Sequence, residues 1–457
     1  MKLAVRGGTI VTEAGTRGAD VLIDAERIAA LVEPGEGTSD EEIDARGLLV
    51  MPGVVDAHVH FNDPGRTEWE GWARGSRAAA AGGVTTVLDM PLNSLPPVLD
   101  GASFAAKRAV AERSSVVDFG LWGGLTGADP GPLRELASCG AVGLKAFLCE
   151  SGVPEFPKIA DRDLVPALRA AAEADLTVAL HCEDETVVRE ATARVRADGG
   201  HDARAWSASR PPLAEVRAVA RACDAARQTG ARIHVVHLSA IDALGAIDAA
   251  RKVGTVVSVE TCPHYFAFDD EDATRIGPAL KCAPPLRDAA NGRALWSALL
   301  GGRIDLIASD HSPCTPELKA RGDADIFAAW GGVAGVQSLL PAVFTYARAR
   351  LGLGSAGIAG LLSWRLATTP AQRFGLWPRK GRIGPAADAD IVLFDPQAEW
   401  TLDPKDSLTA GVSPYIGRRF TGRVVRTLVR GRTVYRDGEV VADGGAARFV
   451  PREGGPS

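Results

Sequence analysis

Eight histidines occur in the 457 residues, and most stand at or just past the end of a short apolar run. His58 and His60 form an HxH after the run 48–55. His181 closes the run 177–180, His237 closes 233–236, and Asp310 follows 304–309 with His311 next to it. On an extended strand residues i and i+2 point to the same side, so both imidazoles of the HxH can reach one cation. Neutral imidazoles and a carboxylate are donors suited to Zn2+ or a similar divalent ion. A lone HxH is commonly incidental, but five donors all placed at run ends suggest one shared site. His201 and His234 read as structural, the first in a polar loop and the second in mid-run. His264 follows the seventh run and reads as a packing or supporting residue, and His311 could orient a ligand or meet an oxyanion.

Lys145 lies inside the apolar run 141–148, where an ammonium is costly unless paired or neutral. It can be a snorkelling lysine at a strand end. It can also be a desolvated amine that reacts with CO2 to form a carbamate, which replaces a cation by an anionic oxygen able to bridge two ions. Four His, one Asp and a bridging carbamate would make a two-metal hydrolytic centre. Such a centre lowers the pKa of bound water and grips a substrate oxygen. Cys149, Cys182, Cys262, Cys282 and Cys314 fall near the same run ends. They read as small buried apolar residues rather than thiolate ligands. The tryptophans, such as Trp69, Trp72 and Trp330, read as core or subunit contacts.

The elements that must position these groups follow from the spacing of the apolar runs. Eight runs, at 48–55, 84–88, 116–121, 141–148, 176–180, 233–236, 255–259 and 304–308, alternate with segments of helical period. Helix candidates are 72–81, 163–174, 213–229 and 241–253. Repeated β-then-α units predict a parallel sheet, and eight of them predict closure into a (β/α)8 TIM barrel, whose active groups come from the strand ends. An open doubly wound sheet is the alternative. Both chain ends instead read as short strands and turns. The expected organisation is therefore residues 1–50 as the first part of a small β-sandwich, 51–375 as the barrel, and 376–457 as the second part. The Gly-rich tail 442–457 is expected to fray or to pack on a neighbour.

Composition narrows the classes. The net charge of -6 and pI near 5.8 lack the basic surplus of a nucleic-acid binder. Hydrophobic residues at 46% and charged residues at 24% exclude wholesale disorder. Seven Cys without any CxxC suggest neither a disulfide framework nor a zinc ribbon. No run is long enough for a membrane span and no signal peptide is apparent, so the expected compartment is the cytoplasm.

The order of HxH after run one, Lys on four, His on five and six, and Asp on eight resembles the amidohydrolase superfamily. Within it the chain resembles the cyclic amidohydrolases: dihydroorotases, dihydropyrimidinases (hydantoinases) and allantoinases. Met51-Pro52-Gly53-Val54-Val55-Asp56-Ala57-His58-Val59-His60 matches the opening motif, and Gly381 to Asp390 matches the closing segment. Residues 61–71, 89–94, 145–148 with 151–153, 260–265, 281–287, 309–314, 330–337 and 413–418 look most like the allantoinase branch. Asp63 and Pro154 depart from its pattern, which has Glu and Asp there. Asn62 stands where dihydroorotases carry an Arg for the substrate carboxylate, and Glu150 where dihydropyrimidinases place a Tyr.

The resemblance implies a metal-dependent hydrolase that opens (S)-allantoin to allantoate in purine and ureide catabolism. Hydantoinase or dihydropyrimidinase is the main alternative, and dihydroorotase or a non-catalytic scaffold a weaker one. It implies two divalent ions, Zn2+ in the first instance. His58, His60 and Asp310 would hold one, and His181 and His237 the other, with Lys145 as N6-carboxylysine bridging them. Asp310 would also be the catalytic acid/base, taking the proton of the attacking water and passing it to the leaving ring nitrogen. Asn93, Ala283 and Gly331 are candidate substrate contacts. The implied partner is a small cyclic ureide, with no nucleic acid and no membrane, in a homotetramer.

Overall fold

The computed structural model describes residues 2–452. Eight parallel strands alternate with helices through the middle of the chain: Val54–Val59, Val84–Asp89, Asp118–Leu121, Leu144–Phe147, Val178–His181, Ile233–Val235, Val257–Thr261 and Leu306–Ile307. Most are buried along their whole length, as parallel strands covered on both faces must be. Strands one to three form one sheet, and strands four to eight form another begun by Gly123–Gly124. The third strand joins them. Its residues 118–121 pair with strand two, and after Trp122 the two glycines pair with strand four. At the other end Val59 bridges His311 in parallel, and His60 N–H donates to the His311 carbonyl at 2.7 Å.

The expected helices form with small shifts: Trp72–Ala81, Leu164–Glu173, Pro212–Thr229 and Leu244–Lys252. Local chemistry fixes their ends. Asp184 and Asp288 accept from the backbone N–H three residues on, and Pro212 begins a helix that stops at left-handed Gly230. No helix among the described residues is long and apolar enough to cross a membrane.

Strands from both chain ends pair with each other. Ile391–Thr401 lies between Arg419–Val429 and Leu49–Pro52, in a seven-stranded sheet that also holds Thr9–Thr12. A four-stranded sheet built on Lys2–Arg6 shares a core with it, including Leu3, Ile10, Val50, Leu393 and Leu428. The apolar run 48–55 is thus two strands. Leu49–Pro52 is antiparallel to Ile391–Thr401, and Val54–Val59 begins the parallel set, so His58 lies within its strand rather than beyond it. The period is blind to this break because both strands are buried.

The tail differs from expectation where it is described. Phe449 bridges Phe119 in parallel, and Val450 N–H donates to the Phe119 carbonyl at 2.7 Å. Phe449 also packs on Phe104 and Phe119, so the segment docks on its own chain. Residues 453–457 of the tail lie outside the described residues. Below strand three, fully buried Lys380 donates to Asp118 at 2.6 Å and Asp390 at 2.7 Å, with Asp388 at 3.0 Å. Arg430 is paired with the same Asp118. This cluster ties the barrel-like strands to the sheets made by the chain ends.

Candidate metal centre and substrate cavity

One cavity of about 390 Å³ opens at the C-terminal ends of the parallel strands. His58, His60, Lys145, His181, His237 and Asp310 all line it, and so do Asn93, Ala283 and Gly331. The six expected metal-site residues and the three expected substrate contacts therefore reach the same space, whereas His311 does not line it. His237 and Asp310 leave their strands in left-handed conformations, φ 40° and 46°, which L residues seldom adopt without support from their surroundings.

The donors gather in two neighbouring groups. His58 Nε2 is 3.3 Å from His60 Nε2, and Asp310 Oδ1 is 3.3 and 3.6 Å from the two. His181 Nδ1 is 3.1 Å from His237 Nε2. The His58 and His237 rings are 5.5 Å apart, so the two groups adjoin.

Partners on the far side of each ring select which nitrogen is bare. His60 Nδ1 is 2.9 Å from the Leu92 carbonyl, which only accepts, so the proton sits on Nδ1. His58 Nδ1 is 2.5 Å from Glu260 Oε1, and His181 Nε2 is 2.7 Å from Glu183 Oε2. Burial alone would raise both glutamates. Instead His58 and His234 hold Glu260 well below the usual carboxylate range, and Arg210 and His181 hold Glu183 at about 2. Both are ionised acceptors, so His58 Nε2 and His181 Nδ1 are left bare. Burial, above all, pushes His58, His181 and His237 below the ordinary imidazole value and keeps them neutral.

This donor set fits a divalent cation. Two facing lone pairs beside an ionised carboxylate repel unless a cation lies between them. Asp310 is such a carboxylate: burial would raise it, but His58 and His60 bring it down to about 2. Lys145 is fully buried, and burial pulls its amine down to about 8 against the pull of Asp310 and Glu260. Attack on CO2 requires the neutral amine, and this lowering raises its share near neutral pH well above that of an ordinary lysine.

A second cluster, Cys149 with His181 and Glu183, also has its donor atoms within 4.8 Å of one another. Burial pushes the Cys149 thiol up to about 12, and Glu183 is committed to Arg210 at 2.5 Å. Both features weigh against that cluster as a ligand set. The other cysteines near the rim are buried, as expected.

Several supporting residues are not marked by the spacing of the apolar runs. Glu260 joins His58 to His234, whose Nε2 is 3.0 Å from Oε2, so mid-strand His234 belongs to the support of the site. Glu183 and Arg210 do the same for His181. The signals existed: Glu183 is two residues past His181, and Glu260 is an acid inside an apolar strand. His311 has neither nitrogen free for an oxyanion. Its Nδ1 accepts from Gly335 N–H at 3.1 Å, and its Nε2 faces Glu70 at 3.3 Å. Asn93 Nδ2 donates to Asn62 Oδ1 at 2.9 Å, which fixes the side chain at the cavity edge. Trp330 is a cavity wall and meets Trp69 edge-on at 4.7 Å, whereas Trp72 is core as expected.

The fold and this donor set are those of a metal-type hydrolase, and comparison with known proteins gives the family. The amidohydrolase family matches residues 49–434, and the chain belongs to it. Among its relatives, the allantoinase of Rubrobacter xylanophilus is 47% identical, covering 98% of this chain and 97% of its own. The allantoinase of Solibacter usitatus is 45% identical, covering 98% and 96%. Among solved structures, the L-hydantoinase (dihydropyrimidinase) of Arthrobacter aurescens superposes with a TM-score of 0.93. It is 33% identical and covers 98% of this chain and 99% of its own. The dihydropyrimidinase of Brevibacillus agri gives 0.91 at 32% identity, covering 99% of each.

Proposed function

We propose that this chain is an allantoinase, hydrolysing (S)-allantoin to allantoate in purine and ureide catabolism. The observation that carries the reading is the convergence of His58, His60, Lys145, His181, His237 and Asp310 on one cavity. The relatives of 45–47% identity over nearly the whole chain, named allantoinases, favour this substrate. So does the cavity edge. Asn62 is a neutral amide bonded to Asn93 and to the Pro313 carbonyl, not a cation awaiting a carboxylate.

In this reading the eight strands form a closed (β/α)8 barrel over residues 51–375. The segments before and after it, 1–50 and 376–457, supply the two parts of a β-sandwich domain and the C-terminal tail. The Val59–His311 bridge supports closure between strands eight and one. The enzyme works as a cytoplasmic homotetramer.

His58, His60 and Asp310 would hold one divalent ion, Zn2+ in the first instance, and His181 and His237 a second. Carboxylated Lys145 would contribute to both. When bound, such ions lower the pKa of a coordinated water and polarise a carbonyl. The Lys145 amine forms a bond to CO2 carbon and releases a proton, leaving an anionic carbamate. Asp310 accepts the proton of the attacking water and returns it to the ring nitrogen as the amide bond breaks. Glu260 and Glu183 keep the His58 and His181 tautomers fixed throughout. Asn93 and the backbone of Ala283 and Gly331 face the space a ring would fill.

A panel of allantoin, hydantoin, dihydrouracil and dihydroorotate on metal-loaded enzyme tests the reading. Allantoin is expected to give the highest kcat/KM. A clear preference for dihydrouracil or hydantoin would instead establish the hydantoinase alternative, which the Arthrobacter aurescens superposition favours.

A further inference from the structure

Two buried lysines outside the donor set hold one wall of the cavity. Lys281 donates to the backbone carbonyls of Phe327 at 3.2 Å and Ala329 at 2.6 Å, and its ammonium lies 4.1 Å from the Trp206 ring centroid. Lys319 donates to the carbonyls of Pro278 at 3.0 Å, Trp330 at 3.0 Å and Gly332 at 2.6 Å. Neither has a carboxylate partner among the described residues, and both are nearly inaccessible, at 6% and 5% exposure. Buried ammoniums are costly unless their donors are satisfied. Here four of the five accepting carbonyls belong to a single segment, 327–332, which has almost no regular structure of its own. That segment lines the same cavity as His58 and Asp310.

We propose that Lys281 and Lys319 are positioning residues. They strap residues 327–332 over the cavity and thereby set the affinity for the cyclic substrate. The backbone is closely constrained once strapped. Gly332 N–H donates to the Lys281 carbonyl at 2.7 Å, and Trp330 N–H to the Leu318 carbonyl at 3.3 Å. Gly332 has φ 156°, and a Cβ there would meet the Ser312 carbonyl oxygen at 2.1 Å, so the strap lies against the strand-eight loop. Without the ammoniums, four carbonyls of the strap lose the only side-chain donors they have among the described residues, and Gly331-Gly332 offers no stiffness to compensate.

Charge supports the same view. Burial first, then Lys319 and Arg210, pulls the Lys281 amine down to about 7, with Asp325 opposing. Burial pulls Lys319 down to about 8, with Cys314 and Cys282 opposing. Both ammoniums are present below pH 7, and their charge is lost as pH rises through those values, which weakens the charge-assisted bonds.

The inference rests on the functional reading only for its kinetic test. In metal-loaded Lys281→Met and Lys319→Met, the KM for allantoin is expected to rise by about tenfold or more. kcat should stay within about threefold and metal content should be unchanged. Hydrogen exchange at the Ala328–Gly332 amides is expected to accelerate. Unchanged exchange with unchanged KM would overturn the strap, as would KM, kcat and metal content all failing together. Should the variants not fold, the wild type decides. Its KM should rise between about pH 6.5 and 8.5 at saturating metal, and a flat KM overturns the proposal. A wild type inactive on every cyclic amide would overturn the functional reading instead, and the exchange measurement would still judge the strap.

Discussion

Glu260→Gln is the sharpest test of how the protein tunes its donors. The carboxylate meets His58 Nδ1 at 2.5 Å and His234 Nε2 at 3.0 Å, and His237 N–H donates to it at 3.3 Å. An amide of the same shape keeps one acceptor oxygen but turns a donor toward one imidazole. If the oxygen stays on His58, His234 must move its proton to Nδ1, where Ser258 Oγ waits at 2.8 Å. The fold should survive, but His58 loses the negative charge that makes its Nε2 a strong donor. Loss of such an orienting carboxylate costs about 10–100-fold in metal affinity, which is roughly 1.4–2.7 kcal/mol. The assay is competition of the metal-free variant against a chelator of known affinity, with circular dichroism as the check on folding. A folded variant that binds both ions within about twofold of wild type would refute the reasoning.

Three further outcomes follow from the structure. Lys145→Ala should lose the second ion and nearly all activity, and a short carboxylate in solution should restore part of it by standing in for the carbamate; near-native turnover without the lysine would remove it from the centre. Lys380→Met should destabilise the fold by about 3–5 kcal/mol in denaturant titrations, because Asp118, Asp388 and Asp390 would lose their shared buried cation; a change under about 1 kcal/mol would show the cluster to be energetically idle. Burial pushes His264 down to about 4 from an ordinary 6.5, and neither ring nitrogen has a protein partner among the described residues. The unfolded chain takes that proton near pH 6.5 and the folded chain only near 4, so stability present above 6.5 is lost as pH falls through this window. The group accounts for about 3 kcal/mol of that loss, so metal-free His264→Leu should show a flatter stability curve from pH 7 to 4 than wild type.

The parallel strands and the principal donors were legible because each obeys a local rule. An apolar run bounded by turns marks a buried parallel strand, and a polar residue at its end marks the rim. The rule failed where two buried strands abut. Leu49–Pro52 and Val54–Val59 carry the same apolar signal, and only pairing partners far away in the chain separate them. The supporting acids were missed for a related reason. Glu260, like Lys145, is a charged residue within an apolar strand, but its partners His58 and His234 are 202 and 26 positions away and nothing local marks it as their support. Arg210 could not be found at all, because its partner Glu183 is 27 positions earlier and nothing local links them. The docking of Phe449 on Phe119 is likewise a long-range contact in a tail whose glycines suggest only looseness.

The central claim is best tested by a crystal structure of the metal-loaded enzyme, with anomalous scattering recorded at the metal edge. Two ions are expected in the cavity, one on His58, His60 and Asp310 and one on His181 and His237, with density for a carboxylated Lys145 between them. A single ion, ions held elsewhere, or an unmodified Lys145 amine in a fully active enzyme would contradict it.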